Sequence, residues 1–384
     1  MSVTDDRTAL IALSVLCEPG NAALAELLAA DGPASVLARL LAEPDASPLH
    51  QMVAARAQGR DVEGLVAGLV AAGDACGARI VTRYDAEWPE GVDDLAELFD
   101  EADPNTKPPL CLWLRGPRDL AEVAASSVSI VGARCCTPYG RNIATRLAYD
   151  LGRKQWTVVS GGAYGIDAAA HKGALSADGV TVAVLACGVD RPYPAANAGL
   201  FERIAETGLL VSEWPPGAIP QRYRFLVRNR VIAALTRGTV VVEAALRSGA
   251  RHTARRALEL ERPLMIVPGP VTSEYSAGVH QLARGPGEVR VVTRAAEVIE
   301  DLGRIGADLA PPLCSPDAVR DTLDPLAARL VDAVPARRAA SAEHIAAQAG
   351  VTVVEARRRL PELAMRGLVA YERDRYRLAG DADA

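Results

Sequence analysis

Only three of the 384 residues are phenylalanine, and only three, Lys107, Lys154 and Lys172, are lysine. Arginine carries almost all the positive charge. With alanine and valine abundant and asparagine rare, this bias reflects coding composition, so the position of each arginine, rather than arginine richness, must carry any case for phosphate recognition. No apolar run approaches the ~20 residues that a membrane-spanning helix requires, and no charged-then-apolar leader pattern is present. A cytoplasmic protein with no membrane partner is expected. The seven cysteines are an odd number without the paired spacing of a zinc site, so no metal is expected and they read as reduced thiols. The adjacent Cys135 and Cys136 read as small loop fillers rather than a redox switch. Neither GxGxxG nor GxxxxGK followed by Ser or Thr occurs, which disfavours a dinucleotide enzyme and a P-loop ATPase. No cofactor is expected.

About half the residues are apolar, enough for at least one large core, and the length suggests several domains. The net charge of -6 argues against a nucleic-acid binder until it is divided by region. Residues 126–300 hold 21 Arg and Lys against 14 Asp and Glu, a surplus of +7, so the remainder carries -13. A basic centre lies between acidic flanks.

The rhythm of apolar residues divides the chain. Residues 1–74 read as short amphipathic helices broken at Pro19-Gly20, Gly32-Pro33 and Pro44. Their Cys17-Glu18-Pro19-Gly20 turn between short helices fits a SAM- or helix-hairpin-helix-like module able to touch a DNA backbone, but the little positive charge here favours packing or partner docking. Residues 75–110 form an acidic, proline-containing transition with a short strand near Arg79 to Val81. From 111 to 303, short apolar runs at 111–114, 128–131, 157–159, 180–185, 209–211, 239–242 and 264–267 alternate with helical stretches. Buried parallel strands with crossover helices explain that alternation, an extended Rossmann-like α/β domain. A linker at 304–320 leads to residues 321–384, where three helical stretches and a hairpin predict a winged helix-turn-helix.

In an open α/β sheet the ligand crevice lies at the carboxyl ends of the strands, where the following helices present free N–H groups. Three passages at such ends stand out. In the first, Val131-Gly132-Ala133-Arg134, Gly132 lets backbone approach a phosphate and Arg134 supplies paired donors, while Thr137 caps the next helix. The second runs from Ser160 through Gly161 and Gly162 to Asp167, His171 and Lys172. Its hydroxyl and consecutive N–H groups form an anion nest, and Asp167 and His171, four residues apart, share a helix face, Asp167 as a cap or structural partner. The third follows Glu213 in the turn Ser212 to Gly217: Arg222, Tyr223, Arg224, Phe225, Arg228, Asn229 and Arg230 interleave arginines with aromatics, which suits phosphates and stacked bases of an unpaired strand. Glu243 is expected to position Arg228 or Arg230, because an isolated buried carboxylate is costly. Ser248 and Thr253 belong to the strand-loop-helix passage after it.

These loops, in this order, resemble the DprA/Smf DNA-processing family. The likeness runs from about Leu112 to Leu302 through Ser129 to Arg134, Ser160 to His171, Ala186 to Asp190 with Tyr193-Pro194, Gly208 to Gly217, Arg228 to Ala233, Val240 to Glu243 with Ser248-Gly249, and Val267 to Gly269. It implies an extended Rossmann-like domain that binds single-stranded DNA cooperatively as homodimers, recruits the recombinase RecA, and protects incoming strands in natural transformation. It implies no catalysis. Carried over motif by motif, it puts Gly132, Arg134, Ser160, Gly161 and Gly162 in a phosphate pocket and Arg222, Phe225, Arg228 and Arg230 along the strand path. This sequence departs from the family at Val227, where proline is usual, at Arg251-His252, and at Val279 to Leu282, which lacks an asparagine. An alternative is a nucleotide-processing enzyme of the lysine-decarboxylase-like phosphoribohydrolase group, with Glu243 as its acid or base, but the glycine-rich loop of that group is missing before Glu243. A duplex-reading winged helix with Arg357, Arg358 and Arg359 is weaker, since consecutive arginines point around a helix and the module is acidic enough to suit a protein partner.

Overall fold

A computed structural model describes residues 5–42, 47–57, 61–98, 103, 105–304, 307–311, 323–336 and 338–379. The chain divides into two units, residues 1–310 and 311–384. In the first, α1 (Asp6–Leu16), α2 (Ala22–Asp31), α3 (Pro33–Ala42), α4 (Pro48–Ala57) and α5 (Val62–Ala75) bury one face each around Leu13, Leu16, Leu37 and Val53. Asp5, Asn21 and Asp61 start three of them by accepting a backbone N–H of the first turn.

The sheet follows: β1 (Ala78–Val81), β2 (Leu112–Arg115), α6 (Leu120–Ala125), β3 (Ser127–Val131), α7 (Pro138–Arg153), β4 (Thr157–Ser160), α8 (Ile166–Ser176), β5 (Thr181–Leu185), α9 (Ala198–Thr207), β6 (Leu209–Ser212), α10 (Arg222–Ala234), β7 (Thr239–Val241), α11 (Ala250–Glu259), β8 (Leu264–Ile266), α12 (Glu274–Ala283), β9 (Val289–Val291) and α13 (Ala295–Leu302). Nine strands lie in the order β1-β2-β6-β5-β4-β3-β7-β8-β9. Strands β3 to β8 are buried along their whole length, which their Val, Ile and Leu content requires when helices cover both faces. Alternate residues serve opposite layers: Val131, Val159 and Val241 face one core, with Val231 and Ile232 of α10, while Ile130, Val158 and Val240 face the other, with Leu147 of α7 and Ala170 of α8.

All seven apolar runs form strands. Two features go beyond the expected all-parallel sheet. Strand β2 runs antiparallel to β6, and β1 pairs antiparallel with β2, so the segment read as a transition supplies an edge strand and buries Trp88, Val92 and Leu95 in the central core. Strand β9 pairs parallel to β8 at the other edge and is half exposed, too short and polar to register as an apolar run. Because β4, β5 and β6 extend from one side of β3 and β7, β8 and β9 from the other, a crevice opens at the carboxyl ends of β3 and β7.

In the second unit, α14 (Pro325–Ala333), α15 (Ala342–Ala349) and α16 (Val353–Met365) pack on a hairpin of β10 (Val369–Glu372) and β11 (Arg375–Leu378), with Leu330, Ile345 and Leu360 at the centre. A capping box of Thr352 and Glu355 opens α16. Most of the expected linker lies outside the described residues. No helix among those described is long and apolar enough to cross a membrane.

The Cys17 to Asn21 turn packs inward. Gly20, at φ 77°, approaches the Asn105 backbone and Arg230, and its carbonyl accepts from the Lys107 N–H at 3.1 Å. Arg230 is therefore not on a strand path. It is fully buried, donates Nε to the Lys107 carbonyl at 2.9 Å, and holds Glu213 through two bonds of 2.6 and 2.7 Å. The arginine-rich run is a helix, and two residues along a helix turn ~200°, so Arg230 faces away from Arg228. Breaking a buried pair on one side leaves a bare charge: Arg230→Met is expected to cost about 3–5 kcal/mol in urea unfolding. The double variant with Glu213→Leu should recover most of that loss; a single variant as stable as the parent would remove the pair from the fold's framework.

Candidate nucleic-acid interface

A cavity of about 390 Å³ occupies the crevice between the ends of β3 and β7. Its walls come from the loop after β3 (Gly132 to Cys135), from α10, and from the loop and first turn of α11 (Ala245 to Thr253). Along α10 the lining residues are Phe225, Leu226, Arg228, Asn229 and Ile232, of which Phe225, Arg228, Asn229 and Ile232 follow the three-and-four spacing of one helix face. The first turn of α11 opens on the same space. Gly249 caps it without a side-chain bond; the Ser248 hydroxyl lies 3.3 Å from the Ala250 N–H, and the Arg251 and His252 N–H groups donate to the Ser248 and Gly249 carbonyls at 3.2 and 3.0 Å, with the positive helix end directed at the cavity.

Three arginines border this space. Arg228 forms the floor: its buried guanidinium donates to the Gly161 carbonyl at 2.9 Å and to the Val184 carbonyl. Burial pushes its pKa down to about 10, Asp167 opposes that shift and Arg134 adds to it, so it stays charged near neutrality. Asp167, also on the cavity wall, has its carboxyl pushed up by burial, with Arg228 pulling the other way. Arg134 is exposed and lies over the Phe225 ring, 5.1 Å from its centroid, while Tyr193 meets the same ring edge-on at 5.9 Å. Arg247, exposed, stands on the opposite rim.

Of the residues singled out in sequence, Gly132, Arg134, Asp167, Phe225, Arg228, Asn229, Ser248 and Thr253 line the cavity together. Others do not. The Ser160 hydroxyl is buried and donates to the Ile130 carbonyl at 2.7 Å, so it joins two strands rather than serving a nest. Gly161 and Gly162 are buried beneath the wall, where a side chain at Gly161 would strike Arg228 and one at Gly162 would strike Phe201. Lys172 and Arg222 are exposed and outside the cavity lining. Glu213 belongs to Arg230.

Glu243 is not an arginine partner either. Its carboxylate accepts from the Thr137 N–H at 2.9 Å and from the Thr137 hydroxyl, and Thr137 in turn caps α7 at the Gly140 N–H. A helix N-terminus thus compensates the buried charge that an arginine was expected to meet. Sequence reasoning passes over Arg247, Ile232 and Tyr275. Arg247 sits inside a passage that the sequence marks as a strand-end loop, and Ile232 follows Phe225 by seven residues, a legible helical offset once the run is read as a helix.

Asp167 and His171 share α8 without bonding to each other. His171 is wholly buried with Nδ1 2.7 Å from the Thr181 hydroxyl, which itself donates to the Val158 carbonyl, while Nε2 has no partner among the described residues. Burial, aided by the Arg228 charge, pushes its pKa down to about 3. A folded pKa below the unfolded one means the neutral ring contributes fully above about pH 6.5, and that contribution is lost as the pH falls toward about 3. Against His171→Asn, which retains a donor to Thr181 and cannot titrate, the parent should lose up to about 1.4 kcal/mol per pH unit below about 6.5 in urea titrations. Parallel stability curves for the two proteins would contradict this account.

Comparison with known proteins follows the same outline. The family model for DNA recombination-mediator protein A matches residues 79–303, which include β2 to β9 and the whole cavity lining. A Mycobacterium tuberculosis protein named DNA processing protein DprA is 42% identical over 385 residues, covering 97% of this chain and 95% of its own. The DNA processing protein DprA of Streptococcus pneumoniae is 36% identical over 208 residues, 54% of this chain and 70% of that one. The X-ray structure of DprA from Streptococcus pneumoniae covers 79% of this chain and 100% of its own at a TM-score of 0.64 and 28% identity. With more than half its length matched and the cavity inside the match, the chain belongs to the DNA recombination-mediator protein A family, the DprA/Smf group of DNA-processing proteins.

Proposed function

We propose that this protein binds single-stranded DNA across the carboxyl ends of its parallel strands, protects incoming strands, and loads the RecA recombinase onto them in natural transformation, working in the cytoplasm as a homodimer. The observation that carries the reading is the cavity between β3 and β7, where Arg134, Arg247, the Arg228 floor and the α11 N-terminus concentrate positive potential beside the apolar Phe225 and Ile232. Phosphates meet the arginines and the backbone at Gly132; bases meet Phe225. Only an unpaired strand offers both at once, because duplex bases are already stacked on each other. Family membership supports the recombinase and the dimer.

The second unit is assigned as a winged helix-turn-helix. Its Arg357 pairs with Glu343, and Arg359 with Asp324 and Glu362, which favours a protein partner over duplex DNA for this module. A binding role rather than a hydrolytic one is supported by Glu243, whose carboxylate is held by Thr137 and is absent from the cavity wall.

The test is anisotropy titration of labelled oligothymidine and of a duplex of equal length over a range of salt. Affinity for the single strand should fall steeply with salt, and Arg134→Ala should weaken binding and reduce the slope by about 0.7 for each phosphate that is no longer neutralised. Phe225→Ala should cost about 1–3 kcal/mol of binding. A protein that ignores oligothymidine at low salt yet splits a nucleoside monophosphate would overturn the proposal.

A further inference from the structure

Aromatic residues make up 4% of the sequence, yet exposed tyrosines recur on one rim of the sheet. Four neighbouring parallel strands, β3, β4, β5 and β6, each lead at the carboxyl end into a segment that carries one: Tyr139 at the start of α7, Tyr164 in the glycine loop before α8, Tyr193 in the loop after β5, and Tyr223 in the first turn of α10. Their exposures, 42, 47, 46 and 41%, are alike. Two are tethered by their hydroxyls, Tyr139 to the Pro268 carbonyl at 2.7 Å and Tyr223 to the Glu18 carboxylate at 2.8 Å. Tyr193 is braced by its edge-on contact with Phe225.

Tyr84, Tyr149 and Tyr371 are as exposed elsewhere, so it is not exposure but the placement of these four after successive strand ends, beside the cavity, that suits a ligand with flat faces. The strands that lead into these segments are neighbours ~4.8 Å apart, and Tyr139 reaches from α7 toward Pro268 after β8, so the four rings are distributed along the rim rather than gathered at one point. We infer that Tyr139, Tyr164, Tyr193 and Tyr223 form a ledge on which successive unpaired bases stack, carrying the strand beyond the cavity across the ends of β3 to β6. This rests on the single-strand reading above. Every base has a π-face, so the ledge reads no sequence; it discriminates base-bearing strands from bare sugar-phosphate and unpaired bases from paired ones. The tethered hydroxyls of Tyr139 and Tyr223 are engaged within the protein, and the Arg224 guanidinium lies 5.9 Å from the Tyr223 ring centroid, a cation beside that face.

The experiment compares oligothymidine with an abasic oligomer of the same length, using the full chain and the variants Tyr164→Leu, Tyr193→Leu, Tyr164→Phe and Tyr193→Phe. Each leucine variant should lose about 5-fold or more on oligothymidine, keep its affinity for the abasic strand and retain the parental salt slope, whereas each phenylalanine variant should bind like the parent. Thermal midpoints of these exposed-site variants serve as the folding control. Equal losses on both oligomers, leucine variants that bind like the parent, or phenylalanine variants that fall as far as leucine would each overturn the ledge. Should the parent prefer oligothymidine to the abasic strand while both leucine variants bind like the parent, the ledge fails and the single-strand reading stands; should the parent bind oligothymidine no better than the abasic strand, or bind neither, that reading fails first.

Discussion

The buried guanidinium of Arg228 is the constraint on which the rest of the site depends. It ties α10 to the carboxyl ends of β4 and β5 through the carbonyls of Gly161 and Val184, and it does so while 4% exposed. Burying an arginine costs several kcal/mol unless its donors are satisfied and a counter-charge is near. Asp167 supplies that charge from α8, and the carbonyls take the donors. The consequence is geometrical: α10 cannot shift without uncovering a charge, so Phe225, Asn229 and Ile232 are held in register with the loop after β3. The absent side chain of Gly161 belongs to the same arrangement, because any Cβ there would meet the guanidinium at 2.5 Å.

Helical period explains how one arginine-rich run serves two purposes. Arg228 and Arg230 are adjacent to the same asparagine, yet one faces the cavity and the other the interior, where it clasps Glu213 after β6 and the Lys107 carbonyl. The alternation of arginine and aromatic residues reads along the sequence like an extended path over a strand of DNA. Folded as a helix, the same residues separate by direction: Arg222 and Tyr223 to solvent, Phe225 and Arg228 to the crevice, and Arg230 to the interior.

Much of the fold is legible in the sequence because buried parallel strands must be apolar on both faces and short, and those runs stand out without ambiguity. What escapes is what periodicity cannot carry. The direction of β2 depends on which strand it meets, not on its own residues, and the partly exposed β9 has no apolar pattern. Glycine clusters pose a different difficulty. Gly132 reads as a place for a phosphate, and it does border the cavity, but a side chain there would first collide with Ile166 and the Glu243 carbonyl. Glycine marks close approach, and sequence does not say of what. The partner of Glu243 escapes for a related reason: a buried carboxylate must be compensated, but a capped helix start with two donors from Thr137 does this as well as an arginine.

How an acidic chain can present a site for a polyanion follows from where its ion pairs lie. The acidic flanks are spent on arginines away from the crevice: Asp94 on Arg262, Asp103 on Arg256, Glu18 on Arg56 and Asp85 on Arg7. Arg134, Arg222 and Arg247 make no ion pair among the described residues, and all three face solvent at or near the strand ends. Net charge therefore misleads here, because screening confines electrostatic attraction to within about 10 Å and a ligand in the crevice feels the local surplus rather than the sum. The unpaired guanidinium groups retain their full charge for a phosphate, while the distant carboxylates hold the framework together and keep the remaining surface from binding nucleic acid at random.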